Sequence, residues 1–300
     1  VREGDEELAR REAERLEQRL ATALAEAERI LSHPEDHPAV SVPDVLDAGI
    51  RDGGWYVGDR PVFLIGFNHF DTAHRPLLSR LGGNLDGTWG GSAKHLFRDG
   101  EEPRQELLDQ WVVDAIEDGA RHGIRTDVTL GHALPAWLVR EHPEVHEAEG
   151  HFLRYDIDHP LAVEWTCRAA EAIARAADGR RGLLGYHLWN EAFYFEVSRL
   201  GLKKFRAAME GQYGTIAALN EAWGTAYGSF AQVDPVRRDP SQAAAHADWC
   251  RWNNQRVTAF IAAVHRAVHR GDPDAVTHVK IPNEMTVQGS RGKSNRPQKI

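Results

Sequence analysis

One stretch of the chain carries residue types suited to acid–base chemistry. Leu183-Leu184-Gly185-Tyr186-His187-Leu188-Trp189 is a short apolar run that ends in an amide and a carboxylate, Asn190-Glu191. Gly179 and Gly182 precede it, and an aromatic cluster, Phe193, Tyr194 and Phe195, follows. A run of that length between turn residues reads as a buried strand. A carboxylate at the carboxyl end of a buried parallel strand stands where α/β barrels gather their catalytic groups. Glu191 is therefore the first candidate for a general acid or base. Its alternative reading is a capping or salt-bridged carboxylate at a strand end.

Other polar groups fall at similar places. Asn68, His69 and Asp71 close the run Val62–Phe67, and His132 closes Ile124–Leu130. Each could contact a hydroxyl-rich ligand or brace a neighbouring loop. Glu284 sits beside Asn283 after Val276–Ile281, as a second carboxylate or as a loop group near a cleft mouth. Trp89 and Trp137 offer indole faces that could stack on a ligand or plug loops onto the body. Of the 16 histidines, His69 and His74, His142 and His146, and His265 and His269 are the closest spacings. Only the last pair lies on a clear helix, with no cysteine or third ligand beside it, so solvated histidines are favoured over a metal site.

The elements that must position these groups follow one another in a simple rhythm. Residues 5–32 place Leu8, Leu16, Leu20, Leu24, Ala27 and Leu31 at helical spacing among Glu and Arg. That predicts an amphipathic helix, either packed on its own domain or paired in a coiled coil. An extended connection leads to a hairpin turning at Gly58-Asp59 and a return strand, Val62–Phe67. Helical periodicity recurs near 75–81, from Leu107 to Ile116, and over 160–177, 198–212, 214–223 and 242–270. Strands are expected at Gly82–Trp89, Ile124–Leu130, Leu183–Trp189 and Val276–Ile281. Repeated β–α alternation means a parallel sheet with right-handed crossovers. Gly66-Phe67-Asn68-His69 is not a glycine-rich phosphate turn, so a doubly wound nucleotide fold is disfavoured. The expected fold class is α/β of the (β/α)8 TIM-barrel type, incomplete, with about five β/α units and an N-terminal amphipathic helix. The expected divisions are a linker helix at 1–33, a connection and hairpin at 34–60, a partial barrel at 61–284 and a polar tail or truncated continuation at 285–300.

Composition narrows the function classes. The formal charge of -9 argues against a dedicated nucleic-acid binder. No apolar run approaches the length of a membrane span, so neither nucleic acid nor membrane is an expected partner. The two cysteines form no metal-like pair. Nine tryptophans are a high count for 300 residues and tilt the reading toward a sugar site.

Here the residues resemble a known group. Leu183–Glu191 is similar to the fourth strand of the clan A glycoside hydrolases. Pro135-Ala136-Trp137-Leu138, with His142-Pro143-Glu144-Val145, resembles the strand-three loop of the family 42 β-galactosidases. Tyr213–Tyr227, with Asp248-Trp249 and Asn253, is similar to that family's following segments. The resemblance covers roughly residues 61–282 and implies retaining hydrolysis of β-galactosides or related glycans without a cofactor. It implies Glu191 as acid/base and Asn190 on the sugar 2-hydroxyl. Asn68, His69, Asp71, His132, Trp137, Trp189, Tyr194 and Glu284 are the further candidates for substrate contact. Trp189 departs from the residue the family usually has before Asn-Glu. The clan's nucleophile is a glutamate ending strand seven, and this sequence stops near strand five. The 300-residue chain by itself is therefore expected to be inactive and poorly soluble. The competing reading is a non-catalytic carbohydrate-binding or scaffold barrel. A carbohydrate is the expected partner, and a homo-oligomer is left open.

Overall fold

Side-chain alternation builds the central sheet of this chain, and helical periodicity builds what covers it. The structure, a computed structural model, describes residues 3–33, 44–67, 71–98, 100–150, 152–192, 194–236, 239 and 241–281. Two units are separated at Pro43. The first, Val1–Pro43, is carried by one helix, α1 (Glu3–Ser32). Pairs such as Arg10–Glu14 and Arg29–Glu26 run along it, and Leu16, Leu20 and Leu24 form an exposed stripe. Exposed pairs of this kind add only a few tenths of a kcal/mol each, roughly 0.2–0.5.

The second unit, Asp44–Ile300, opens with an antiparallel sheet of β1 (Gly49–Arg51), β2 (Gly54–Val57) and β3 (Arg60–Val62). Trp55 pairs with Val62 and Val57 with Arg60 around the expected turn at Gly58-Asp59. The first hairpin turns on Asp52 and Gly53, both at positive φ (50° and 76°), the geometry that Asp-Gly favours in a two-residue hairpin.

Five strands then pair in sequence order, all parallel: β4 (Gly66–Phe67), β5 (Leu85–Gly91), β6 (Arg125–Leu130), β7 (Leu183–His187) and β8 (Thr277–His278). Successive parallel neighbours joined by helices are the arc of a (β/α)8 barrel. The covering helices are α2 (Arg75–Arg80), α3 (Ala93–Leu96), α4 (Gln105–Leu108), α5 (Asp114–Arg121), α6 (Ala136–Glu141), α7 (Pro160–Ala177), α8 (Arg199–Tyr213), α9 (Ile216–Trp223) and α10 (Ala243–Gly271). A π turn, Asp109–Val113, joins α4 to α5.

Strand β6 shows how the layers divide. Val128 and Leu130 enter the core with Ile173 of α7, whereas Asp127 and Thr129 stand on the opposite face, toward the barrel interior. The alanine-rich face of α7 lets α10 approach closely. A Cβ on Gly271 would lie 2.4 Å from the Glu171 carbonyl oxygen. Tyr186 ties β7 to both helices, donating to Asp272 Oδ2 at 2.7 Å and lying 3.3 Å from the Ala174 carbonyl. A second core of Phe205, Met209, Leu219, Trp223, Trp249 and Trp252 fills the space among α8, α9 and α10. Arg256 bridges the two cores. Its guanidinium lies over the Tyr194 and Trp252 rings and pairs with Asp158 Oδ2 at 2.7 Å.

Two strands differ from expectation. Val62–Phe67 is not one strand: β3 ends at Val62 and β4 begins at Gly66. Asn84 takes the polar groups between them. Its Oδ1 accepts from the Ile65 N–H at 2.8 Å and its Nδ2 donates to the Phe63 carbonyl at 3.0 Å. The last strand is confined to Thr277–His278, although Lys280 N–H still donates to the Trp189 carbonyl at 3.2 Å.

Candidate active site

The carboxyl ends of β5, β6, β7 and β8 are brought level by their register. Trp89 pairs with Thr129, Thr129 with His187, and His187 with His278. Alternation turns all four toward the barrel interior. A cleft of about 690 Å³ opens there, with Trp89, Thr129, His132, His187 and Asn190 in its wall. Trp89 is 43% exposed, and its other side rests on Trp111, with ring centroids 5.1 Å apart. An indole braced on one side and open on the other is the arrangement that stacks on a sugar ring.

Glu191 follows directly on Asn190. It is one of three non-glycine residues with positive φ among those described, at 52°. The left-handed region is costly for such a residue, and strain of this kind concentrates at functional sites. The Lys280 ammonium reaches its carboxylate, Nζ to Oε1 at 3.1 Å. The main chain frames this contact, with Lys280 N–H donating to the Trp189 carbonyl and Ala192 N–H donating to the Lys280 carbonyl at 3.1 Å.

Three histidines set the electrostatics beneath. His132 Nε2 lies 2.7 Å from the Leu188 carbonyl, which only accepts, so Nε2 carries the proton. Its Nδ1 then accepts from the Tyr155 hydroxyl at 3.1 Å. Burial pushes His132 down to about 4, so the ring is neutral near pH 7. His187 is also held below its ordinary range, by burial first and by His278 second. Among the described residues its Nε2 is buried without a hydrogen-bond partner. His278 moves the other way, because Asp127 accepts from its Nε2 at 3.0 Å and favours the charged ring.

The sequence candidates divide accordingly. His132 and Asn190 line the cleft. Asp71 caps the short 3-10 turn Thr72–His74, accepting from the Ala73 N–H at 2.9 Å, and adjoins Thr72 in the cleft wall. Two aromatics expected at the substrate are core instead, and a third, Trp137, is partly buried against that core. Trp189 is 0% exposed and meets Phe260 edge-on at 5.7 Å. Tyr194 is 1% exposed and donates its hydroxyl to the Tyr155 carbonyl at 2.9 Å. Trp137 donates to the Phe97 carbonyl and packs edge-on against Trp165. The cause at Trp189 is the end of strand alternation at His187, after which the chain turns that ring to the helix side. Asn68, His69, Phe193 and Glu284 lie outside the described residues.

His187, Thr129 and Lys280 were not anticipated. Period-two alternation back from the strand ends could have found His187. Lys280 stands two residues beyond His278 on the same logic. Among the described residues, no group of three or more His, Cys, Asp or Glu side chains is arranged to hold a metal ion, and no helix is long and apolar enough to cross a membrane.

Comparison with known proteins places the chain in a family. The family model described as β-galactosidase, glycoside hydrolase family 42, matches residues 100–291. A β-galactosidase from an Arthrobacter species is 32% identical over 194 residues, 56% of this chain and 27% of its own length. A β-galactosidase from Thermus thermophilus is 32% identical over 172 residues, 50% of this chain and 26% of its own length. The chain thus spans about a quarter of the length of these curated relatives. A crystal structure of an apo exo-carrageenase of family 42 from Bacteroides ovatus superposes with a TM-score of 0.65 at 24% identity, covering 81% of this chain and 34% of that one. The likeness extends to the barrel fold.

Proposed function

The chain belongs to the glycoside hydrolase family 42 β-galactosidases, and from that premise we propose that it supplies the acid/base half of a retaining β-galactosidase site, with Glu191 as the acid and base. The observation that carries this reading is the strained Glu191 backbone beside Asn190, itself in the wall of an indole-lined cleft. Curated relatives named β-galactosidases support the substrate class.

Retaining hydrolysis needs two carboxyl groups about 5–5.5 Å apart. In the first step the Glu191 carboxylic acid gives its proton to the glycosidic oxygen as the bond to the anomeric carbon breaks. The second carboxylate attacks that carbon and forms a glycosyl ester. In the second step the Glu191 carboxylate takes a proton from water, which displaces the ester. The resemblance puts the second carboxylate at the end of the seventh barrel strand. Asn190 is proposed to hold the sugar 2-hydroxyl, a contact that strengthens in the transition state. Trp89 offers the face on which the pyranose lies.

The test is Glu191→Gln in the complete gene product, assayed on a natural β-galactoside disaccharide whose leaving group needs protonation. A loss of about 10²–10⁴-fold in kcat is expected. Wild-type turnover by the variant excludes the acid role. Sugar binding by calorimetry with no turnover in the unmutated protein selects the non-catalytic barrel.

A further inference from the structure

We propose that Lys280 is the positioning residue that sets the protonation state of Glu191, holding it as the carboxylate while no glycoside occupies the cleft. The inference rests on the reading of Glu191 as acid and base. Its geometric basis is the 3.1 Å contact between the Lys280 ammonium and Glu191 Oε1. The contact is framed by the main chain on both sides, through Lys280 N–H to the Trp189 carbonyl and Ala192 N–H to the Lys280 carbonyl. The two side chains are thus brought together by strand pairing across the β7–β8 step and by the positive φ of Glu191.

The surrounding charges reinforce the assignment. On β8 the next interior group below is His278, whose positive form is favoured by Asp127 on β6. On β7 the next interior group is His187, held neutral by burial. His132, on the cleft wall, is neutral as well. Among the described residues the Asp127 charge is thus engaged by His278, and Lys280 is the cation at the carboxylate of Glu191. An ammonium in contact favours the charged carboxyl.

This arrangement serves the two halves of retaining hydrolysis unequally. The carboxylate is the form that accepts a proton from water in the second step. The first step needs the acid, so the ion pair must loosen before the glycosidic oxygen is protonated. Both partners are partly exposed, and exposed pairs are weak enough for a ligand to displace. Lysine suits this role because its charge is compact and rides on a flexible stem.

The test is a carbon-13 NMR titration of the glutamate carboxyls in the complete gene product, with Glu191→Gln identifying the Glu191 resonance. In Lys280→Met the Glu191 midpoint is expected to rise by about one pH unit. In Lys280→Arg, which keeps the charge, it stays close to wild type. Lys280 is half-exposed, so both variants should fold, and circular dichroism checks this. An unchanged midpoint in a folded Lys280→Met overturns the proposal. In the complete gene product, the alkaline limb of kcat/KM for Lys280→Met should rise by the same amount. A midpoint that moves while the limb stays fixed upholds the hold of Lys280 on Glu191 and overturns the acid/base assignment instead.

Discussion

His187 and His278 stack face to face in the barrel interior, ring centroids 4.8 Å apart and planes 12° from parallel. Two charged imidazoles would repel in that geometry, and the neighbours bias which ring takes the proton. Asp127 on β6 favours it on His278, while burial keeps it off His187. Asp127→Asn should therefore lower the His278 titration midpoint by about one unit in a proton NMR titration. The sign for stability follows. A histidine whose native pKa is raised stabilises the fold below its unfolded value, and that contribution fades as pH rises through the native value. Asp127→Asn should thus weaken the protein more at pH 5.5 than at pH 8 in urea unfolding. An equal loss at both values excludes a charged His278.

His132 predicts an opposite dependence. Its ring is neutral in the fold and fastens the Leu188 carbonyl to the Tyr155 hydroxyl. Its pKa falls from 6.5 to about 4, so the unfolded chain binds a proton that the native protein refuses between those values. Stability contributed above pH 6.5 is lost as pH falls toward 4, to a total of about 3 kcal/mol at roughly 1.4 kcal/mol per unit. His132→Gln offers an amide donor and acceptor in similar places and does not titrate. It should flatten the dependence of the urea midpoint between pH 7 and pH 4.5, whatever its cost at neutral pH.

Helices and the strand that precedes Asn190-Glu191 were legible in the sequence because their signals are local. The 3.6-residue period marks α7 and α10, and a buried run bounded by glycines marks β7. The break between β3 and β4 was not legible, because Asn84 causes it from 19 residues away. Trp189 was misassigned for a related reason. Which face a strand-end ring takes depends on where alternation stops, and here that is set by pairing with β6 and β8. Lys280 meets Glu191 across 89 residues of sequence. No spacing rule reaches that far, and only the register of β7 against β8 brings the two together.

The helix side of the sheet holds a buried ion network that predicts a large stability effect. Arg75 Nε lies 2.6 Å from Asp86 Oδ2, and its Nη1 lies 2.7 Å from Asp118 Oδ2. Thr126 also donates to Asp86 Oδ1 at 3.1 Å. Arg75 and Asp86 are almost fully buried, so removing one leaves an uncompensated charge in the interior. Asp86→Ala should cost about 3–5 kcal/mol in urea unfolding. Replacing Arg75 and Asp86 together by Met and Leu should recover a large part of that loss. A cost below about 1 kcal/mol for Asp86→Ala would show that water reaches the pair.

The tryptophans separate ligand binding from packing. Trp89 and Trp189 both stand at strand ends, but one lies open in the cleft and the other is sealed against Phe260. Trp89→Ala removes a stacking face and leaves the core intact. If the cleft takes the sugar as proposed, galactoside binding by the complete gene product should weaken about tenfold, in line with an aromatic contact worth roughly 0.5–1.5 kcal/mol, with little change in thermal midpoint. Trp189→Ala opens a cavity beneath the Asn190-Glu191 turn and should cost about 3–5 kcal/mol of stability. Trp89→Phe should restore most of the binding, because stacking needs an aromatic face and not the indole N–H. If Trp89→Ala bound sugar as wild type does while Trp189→Ala lost binding without losing stability, the cleft would not be the sugar site.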